Sequence, residues 1–370
     1  MAMVAEQVET SCVHGRRGRR STGSEQMSQL LGPNRSSDDD SADPQQSSDK
    51  RTTGLRSWGI GAQGKTVIGV YVFLLILILA SRFVSPSFGS ISFTKTVVVL
   101  SAFTIIASFG QYIVVVTGGL DLSIPGVMSV GGLLITGLSL GQNSRLWWAV
   151  PIVLGVGFLI GAVNGIGVVY LKISPVIMTL AANVILGGVV LVYTDGTPRG
   201  STPPFLVELI QGRLFGGALP KVIVGLVVFM IIGSILMNQT SFGRRVYAVG
   251  SNPRVAYLSG VRVNLIMILV YAISGFCAAL AGMALAAYSN NSFLGMGDPY
   301  LLLSLAAVVV GGTSILGGRG LFVGVVGGAI ILTTITTTLA GTSIPDSARD
   351  MVIAVVILAA VIVARQEKLD

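Results

Sequence analysis

The stretch TVIGVYVFLLILILAS, residues 66–81, runs for its whole length without a charged side chain. Such a run favours a helix surrounded by hydrocarbon, because about 20 apolar residues cross the roughly 30 Å core of a bilayer. A helix packed on a soluble sheet would instead carry one polar face. The stretch therefore predicts a membrane-spanning helix.

The composition of the whole chain agrees with this interpretation. Of its 370 residues, 52% are hydrophobic and 11% are charged, whereas soluble domains carry about 25% charged residues. The 48 glycines indicate helices that pack closely through small residues. We predict an all-α polytopic membrane protein. The cysteines Cys12 and Cys277 and the single His14 are too few for a metal cluster or a catalytic triad, so we expect no metal and no catalytic residue.

The octapeptide GIGAQGKT, residues 59–66, matches the phosphate-binding pattern GxxxxGK[ST]. Such a loop binds phosphate between a buried β-strand and the N-terminus of a helix. The preceding RTTGLRSW, residues 51–58, does not predict a buried strand, because it contains two arginines and a glycine. We interpret the match as chance, with Lys65 as an anchor of the membrane helix. We therefore expect no enzymatic activity and no cofactor on this chain.

Apolar runs recur along the chain and predict about ten membrane helices. They lie near residues 66–81, 96–117, 123–141, 146–171, 173–193, 220–237, 265–288, 300–317, 321–342 and 349–365. Residues 1–65 are polar and predict a disordered tail, and residues 366–370 form a short second tail. The basic run 16–20 could contact anionic lipid or nucleic acid, although a solvated tail is the favoured interpretation.

The lysines and arginines of short loops indicate the orientation, because cytoplasmic loops carry an excess of both. The segment 238–264 contains four arginines and no acid, which places it and both termini in the cytoplasm. The charges that break the rule are Arg82, Lys95 and Arg145. Because the net charge of +8 is then mainly topological, we expect no nucleic-acid partner.

Two rows of glycines, spaced by four residues, predict close contacts between helices rather than ligand contacts. The rows are Gly157, Gly161 and Gly165, and Gly320, Gly324 and Gly328. A weak similarity between VVVTGG, residues 114–119, and VVVGGT, residues 308–313, hints at an internal duplication.

Asp121 stands alone among the predicted spans. The other acids between residues 66 and 345 can be placed in connections, whereas Asp121 lies in TGGLDLSIPG, residues 117–126. Paired glycines and Pro125 would interrupt a helix there, and intramembrane acids usually mark a pathway. Such a break is typical of the broken helices of transporters. The alternative is that Asp121 caps the next helix.

Four stretches carry a family resemblance: GGLDLSIP (118–125), TLAANVILGGVVLVYTDGTP (179–198), SFGRRVYAVGSNPRVAYLSGV (241–261) and AAVVVGGTSILGGRGLFVGVVGGAIIL (306–332). The chain from about residue 66 to 365 resembles the transmembrane permease subunits of ribose-type ABC sugar importers. The resemblance implies a bacterial inner-membrane protein that forms a permease dimer. It also implies a sugar-binding protein as partner and a separate ATPase that holds the ATP and Mg²⁺.

The resemblance implies that the ATPase grips a short helix within residues 238–264, which we name the coupling segment. The residues matched to that role are Phe242, Gly243, Arg244, Tyr247, Gly250, Asn252, Ala256, Ser259 and Gly260. The alternative is that its arginines serve topology alone.

For the translocation pathway we predict neutral hydrogen-bonding side chains near the break, because sugar hydroxyls need such partners. The predicted pathway residues are Asp121, Ser123, Asn164, Asn183, Thr313 and Ser314. For each polar residue of a membrane helix, a bond to a neighbouring helix is an alternative.

One departure from the family pattern concerns the sugar. Leu301 and Leu303 stand where family members have acids after a tyrosine, and Asp298 precedes Tyr300. This puts ribose specificity in doubt and favours another sugar or a polyol. The main rival is a secondary transporter driven by an ion gradient, but one aspartate without an intramembrane histidine makes a poor ion relay.

Overall fold

The computed structural model describes residues 62–84, 88, 90–214, 217 and 219–341, and the single positions 345, 348, 351, 354, 355 and 358. The predicted tails up to residue 61 and beyond residue 365 lie outside the described residues, as does most of the predicted span 349–365.

Helices make up most of the described chain, as predicted. Its helices are α1 (Ala62–Val84), α2 (Ile91–Val116), α3 (Ile124–Ser139), α4 (Leu146–Tyr170), α5 (Pro175–Thr194), α6 (Pro204–Gln211), α7 (Val222–Asn238), α8 (Ser241–Ser251), α9 (Pro253–Leu258), α10 (Val263–Ser289), α11 (Tyr300–Val310) and α12 (Phe322–Ala340). A 3-10 turn, Asn143–Arg145, precedes α4. Two-residue strands β1 (Arg213–Leu214) and β2 (Leu219–Pro220) pair antiparallel, with Arg213 opposite Pro220.

Five helical stretches in the described residues are long and apolar enough to cross a membrane. They are Ile91–Val116, Asn143–Tyr170, Pro175–Thr194, Val263–Ser289 and Phe322–Ala340. A sixth crossing is formed if α7 and α8 are taken together, with a 62° bend between them. The apolar helices Thr66–Ala80, α3 and α11 are shorter. The structure is thus that of an all-α polytopic membrane protein, and the number of ten spans stays a prediction.

Helix α2 forms the centre of the described chain, and α5 lies at its periphery. Every residue of α2 from Ser101 to Val116 is buried. Within the apolar windows, 89% of α2 is buried inside the protein but only 11% of α5. A membrane helix buried on all sides contacts protein rather than lipid, so α2 can carry polar side chains that a lipid-facing helix would exclude.

The first glycine row packs α4 against α10, as predicted. A Cβ atom at Gly165 would lie 2.7 Å from the Cα atom of Ile268, and one at Gly157 would lie 2.6 Å from the carbonyl oxygen of Gly275. Such distances leave room only for hydrogen, so the two backbones are in direct contact at the row.

The second row packs the start of α12 on α11. A Cβ atom at Gly324 would overlap the carbonyl group of Gly311, and one at Gly328 would overlap that of Ala307. Gly320 lies before α12 begins and contacts the side chain of Thr313 instead. The row therefore starts in a turn rather than in the helix that its spacing suggests.

The predicted span 300–317 is wrong as a single crossing. Its helix, α11, ends at Val310, and its start is preceded by an irregular segment, residues 290–299, that lies along α3. In that segment the hydroxyls of Ser292 and Thr136 are 2.7 Å apart, and the amide of Gly297 donates to Ser129 Oγ at 3.2 Å. Non-helical backbone is tolerated at membrane depth where protein covers it.

The two similar glycine pairs form the same turn. Gly119 N donates to Val114 O at the end of α2, and Thr313 N donates to Val308 O at the end of α11, both at 3.1 Å. Gly118 and Gly312 adopt φ angles of 82° and 81°, which only glycine adopts without strain. The sequence similarity thus reflects two equivalent C-terminal caps of the Schellman type.

Candidate functional site

The predicted break between α2 and α3 is present. Helix α2 ends at Val116 and α3 begins at Ile124, so residues 117–123 leave the helical path within the apolar region. The break brings three of the six predicted pathway residues into one buried hydrogen-bonded group. Asp121, Ser123 and Asn164 are each no more than 2% exposed.

Asp121 is the centre of this group, which we name the Asp121 network. Its Oδ1 atom accepts from the amide and the hydroxyl of Ser123, at 3.0 and 2.6 Å. Its Oδ2 atom accepts from Ser274 Oγ of α10 at 2.7 Å. Asn164 Nδ2 of α4 donates to Ser123 Oγ at 2.8 Å. The break is thereby tied to α4 and α10, and Ser274 is a member that no sequence pattern singles out.

A first-turn amide of α3 is bonded by a side chain of α5 rather than by Asp121, and a second α5 side chain bonds the chain just before the helix. Asn183 Oδ1 accepts from the amide of Gly126, which is among the first amides of α3 and lacks a partner within the helix, at 2.8 Å. Thr179 Oγ1 accepts from the amide of Leu122 at 3.0 Å. Asp121 instead accepts from an amide two residues further on, before the helix starts. Asn183 therefore joins α5 to α3, and Thr179 was missed because a threonine inside a helix gives no signal.

The remaining predicted pathway residues lie apart from the Asp121 network, in the loop 311–321. Thr313 is buried, and its Oγ1 atom has no hydrogen-bond partner among the described residues. Ser314 is half-buried, and its amide donates to the carbonyl of Arg319 at 2.9 Å. The loop meets the break through main chain: the amide of Gly318 donates to Val116 O at 2.8 Å.

Position 303, where the resemblance leads us to expect an acid, has apolar surroundings. Leu303 of α11 is 8% exposed and belongs to the main hydrophobic core. Asp298 is exposed in the segment before α11. A carboxylate at position 303 would be buried among apolar side chains, so this chain is built around a leucine there.

The coupling segment folds into two short helices at one end of the molecule, which we name the coupling end. Thr240 Oγ1 accepts from the amide of Gly243 at the start of α8, and Asn252 Oδ1 accepts from the amides of Arg254 and Val255 at the start of α9. Both are ordinary N-caps. Asn252 therefore shapes the segment as a cap, and its role in ATPase coupling stays a prediction.

The nine matched residues divide between two faces of the segment. Gly243 and Ala256 are buried, and Phe242, Tyr247 and Gly250 are half-buried against the rest of the protein. The exposed members are Arg244, Asn252, Ser259 and Gly260. One face is therefore available to a partner, and the other is packed against the membrane helices.

The exposed face also contains three large apolar residues that sequence matching missed. Val255, Tyr257 and Leu258 of α9 are 56%, 70% and 77% exposed. Exposed Arg254 precedes them in α9, and exposed Arg245 lies on α8, which contacts α9. Exposed apolar side chains that are bordered by charged ones are typical of a protein-binding surface. A six-residue helix is too short for its spacing to assign such a face, which explains the omission.

The opposite end of the molecule carries a cavity of about 670 Å³. Its lining includes Lys95, Gln211, Arg213 and Tyr288, with apolar side chains from α2 and α6. No acidic residue lines it within the described residues. This end is held together by bonds such as that from Gly141 N to Ser201 O, at 2.9 Å.

The GIGAQGKT motif does not form a nucleotide site in its described part. Residues 62–66 lie in the first turns of α1, and residues 59–61 lie outside the described residues. The strands in the described part of the chain are β1 and β2, which are far along the sequence from the motif. The described part of the motif is therefore helical, whereas a phosphate loop presents the residues before its lysine as a turn. In the same part of the chain, no group of three His, Cys, Asp or Glu side chains could hold a metal ion.

Comparison with known proteins agrees with the resemblance seen in the motifs. Residues 93–361 match the family described as "Branched-chain amino acid transport system / permease component". The chain is 32% identical over 302 residues to the ribose import permease protein RbsC of Bacillus subtilis (strain 168), covering 81% of this chain and 93% of the relative. It is 31% identical over 283 residues to the galactose/methyl galactoside import permease protein MglC of Escherichia coli (strain K12), covering 72% and 84%. No solved structure matches. The chain therefore belongs to this family of membrane permease components of transport systems, and it is a transport subunit rather than an enzyme.

Proposed function

We propose that the chain is the permease subunit of an ABC importer for a monosaccharide or a related polyol. The relatives named as ribose and galactose import permeases support sugar as the class of cargo. The leucine at position 303 supports a cargo other than ribose, because the pattern expected from the family has an acid there. In this proposal, ATP and Mg²⁺ bind to a partner ATPase.

The observation that carries the proposal is the exposed face of the coupling segment. A separate ATPase must push on the permease through a surface that is free in the permease alone. Val255, Tyr257 and Leu258 supply apolar contacts, and the flanking arginines supply charge that suits an acidic rim on the partner.

The charges of the coupling end support the orientation that places the coupling segment in the cytoplasm. Helix α8 contacts both α9 and the loop 311–321, and these three elements carry exposed Arg244, Arg245, Arg254 and Arg319. A positive end of this kind fits the positive-inside rule and a bacterial inner membrane, with both termini cytoplasmic.

The opposite end would then face the binding protein. Its cavity contains Lys95, one of the charges that break the positive-inside rule, together with Arg213. Cations that topology does not explain suit a partner with acidic side chains, since complementary charge fixes the register of docking. This supports delivery of the sugar at that end.

For the pathway, we propose that the six predicted residues border it in two ways. Asp121, Ser123 and Asn164 hold the shape of the break, because their polar atoms already bond to one another. Asn183 is half-buried on the peripheral helix α5, and Thr313 and Ser314 lie in the second loop, where a passing hydroxyl could bond to them.

The proposed second permease copy packs on α5. A Cβ atom added at Gly187 or Gly188 would have nothing within 4 Å, so this glycine pair lies open on an exposed membrane helix. A helix that only faces lipid gains nothing from a glycine pair, whereas close approach of another helix needs one. We therefore propose that a second copy of this chain packs on this face of α5.

Gly188→Trp should weaken this dimer roughly tenfold or more, because a large side chain would overpack a close helix contact. Gly225→Trp on α7 is the matched control, since Gly225 is equally open but lies on another exposed helix. Light scattering in mild detergent measures the mass of each variant. A Gly188→Trp protein that stays dimeric would show that this face contacts lipid.

The proposed function is tested by purifying the tagged chain from its native membrane and identifying the bound proteins by mass spectrometry. We expect an ATPase subunit and a sugar-loaded binding protein. Leu258→Glu should reduce the recovered ATPase roughly tenfold, because a carboxylate would be buried in an apolar contact.

Leu171→Glu serves as the control for docking, because Leu171 is 68% exposed but lies outside the coupling segment. Recovery of the chain alone under gentle detergent would contradict the importer. Uptake that follows a proton or sodium gradient instead of ATP would support the rival, an ion-coupled transporter.

A further inference from the structure

Helix α8 is attached to the membrane helices through three oxygen atoms. The hydroxyl of Tyr247 donates to the carbonyl of Gly320 at 2.8 Å. The hydroxyl of Tyr112 lies 2.5 Å from that of Tyr247, and 3.4 Å from the same carbonyl. We name this group the tyrosine latch. It joins three elements that are distant in sequence: the coupling segment, the central helix α2 and the loop 311–321.

The order of the hydrogen bonds follows from the donors available. The Gly320 carbonyl can only accept, and its shorter bond comes from Tyr247, whose single proton is thereby used. Tyr112 then donates its own proton to the Tyr247 oxygen. Gly320 precedes α12, so its carbonyl accepts no helical amide there, and the tyrosines supply its partner. Tyr247 is thus the central member, which both donates and accepts.

Rigid packing surrounds the latch on the membrane side. Tyr112 is fully buried, and its ring stacks on Phe322, the first residue of α12, with ring centroids 6.0 Å apart. Phe109 contacts Phe322 edge-on at 4.7 Å. If the Tyr247 hydroxyl moves, either α2 and α12 move with it or the hydrogen bonds break, because close-packed aromatic cores deform little.

A second contact lies one turn further along α8. A Cβ atom at Gly250 would overlap the carbonyl oxygen of Val116 and lie 2.8 Å from the amide of Gly318. Val116 is the last residue of α2 before the break that contains Asp121, and Gly318 lies in the loop that contains Thr313 and Ser314. The buried face of α8 thus rests on both interruptions of the helical structure at once.

The geometry points to Tyr247 as a positioning residue that transmits the movement of α8 to the two breaks during transport. This inference rests on the proposed function. The exposed arginines of α8 face the side where the ATPase would bind, and Tyr247 faces the membrane helices. One short helix would therefore contact the ATPase and the membrane helices at the same time. A helix held only by apolar contacts could slide over its neighbours, whereas bonds to a fixed carbonyl impose one register.

The test uses Tyr247→Phe in the full chain, which keeps the ring and removes the central hydroxyl. With the copurified ATPase and binding protein in proteoliposomes, and with ribose and galactose as probes, we expect roughly tenfold less sugar transported per ATP hydrolysed. Recovery of the ATPase should stay unchanged, because the Tyr247 hydroxyl faces the membrane helices and not the exposed face of the coupling segment. Exchange of the amide hydrogens of residues 311–321 should become faster in the purified permease, because the loop loses the hydrogen bond that holds the Gly320 carbonyl.

Two further variants separate transmission from simple packing. Tyr170→Phe removes an exposed tyrosine hydroxyl at the end of α4 and should change neither readout. The double variant Tyr112→Phe with Tyr247→Phe should be little worse than Tyr247→Phe alone, because Tyr112 acts through Tyr247. Additive losses, or a Tyr247→Phe protein with normal exchange and normal coupling, would overturn the inference. A wild-type complex whose ATP hydrolysis does not respond to its copurified binding protein counts against the proposed function, while the exchange result still decides the latch.

Discussion

Gly161→Val is expected to prevent the correct packing of α4 on α10. A Cβ atom at this position would overlap the carbonyl group of Tyr271 and lie 3.0 Å from the Cα atom of Ala272. Both are main-chain atoms of α10, so no side-chain rotation can make room. Overpacking of a close contact costs about 3 kcal/mol, which corresponds to a fall of roughly 10 °C in the apparent melting temperature.

The effect is measured as the melting temperature and as the fraction of protein that elutes as one species in detergent. Gly155→Val is the matched control, because Gly155 lies on the same helix and has nothing within 4 Å of its Cβ position. Both substitutions introduce the same β-branched side chain into α4, so helix propensity changes equally. Equal behaviour of the two variants would mean that α4 and α10 are not in direct backbone contact.

Membrane helices and glycine contacts could be predicted from the sequence because each depends on a local pattern. An uncharged run such as residues 66–81 has few alternatives to a membrane helix, and α1 covers it completely. The row from Gly157 to Gly165 lies on one helix face by its spacing alone, so its contact with another helix was predictable. The helix that this row contacts could not be predicted, because α10 lies about 100 residues further along the chain.

The predicted crossing at residues 300–317 failed for a physical reason. Composition measures how apolar a segment is, but a segment buried in protein is as apolar as one in lipid. Buried Ser292, Met296 and Gly297 anchor part of the segment 290–299 in the protein, and α11 packs on α12 and α2, so the chain leaves the helical path there against protein. Such shielding depends on tertiary contacts such as that between Ser292 and Thr136.

In the candidate site too, some residues could be predicted from a local pattern and others depend on tertiary contacts. Asp121 was recognisable because an acid among apolar residues is rare, and the break around it followed from its glycines and Pro125. Ser274 and Thr179 complete the hydrogen bonds of the break, but a serine or threonine in an apolar helix is common and carries no signal. Tyr112 of the latch was likewise hidden, since a tyrosine in a membrane helix resembles any other apolar residue until its hydroxyl finds a partner.

Asp121→Ala is expected to destabilise the protein by about 3 kcal/mol, because buried donors of Ser123 and Ser274 would lose their acceptor. Asp121→Asn should destabilise the protein less than Asp121→Ala. Its carbonyl oxygen can still accept from Ser123, and its amide can donate to Ser274 Oγ. Melting temperatures of the two variants, with Asp195→Asn as the control, test this order. Asp195 carries the same carboxylate but is exposed at the C-terminal end of α5, so its replacement should be neutral.

Sugar uptake by the same variants distinguishes the two roles that a buried aspartate of a transporter can have. If Asp121 holds the shape of the break, uptake and melting temperature should fall together, in the order wild type, Asn, Ala. If the carboxylate contacts the sugar, Asp121→Asn should keep most of the stability and lose most of the uptake, because an amide has one acceptor atom where a carboxylate has two. The three bonds that occupy both carboxylate oxygens within the protein lead us to expect the first result.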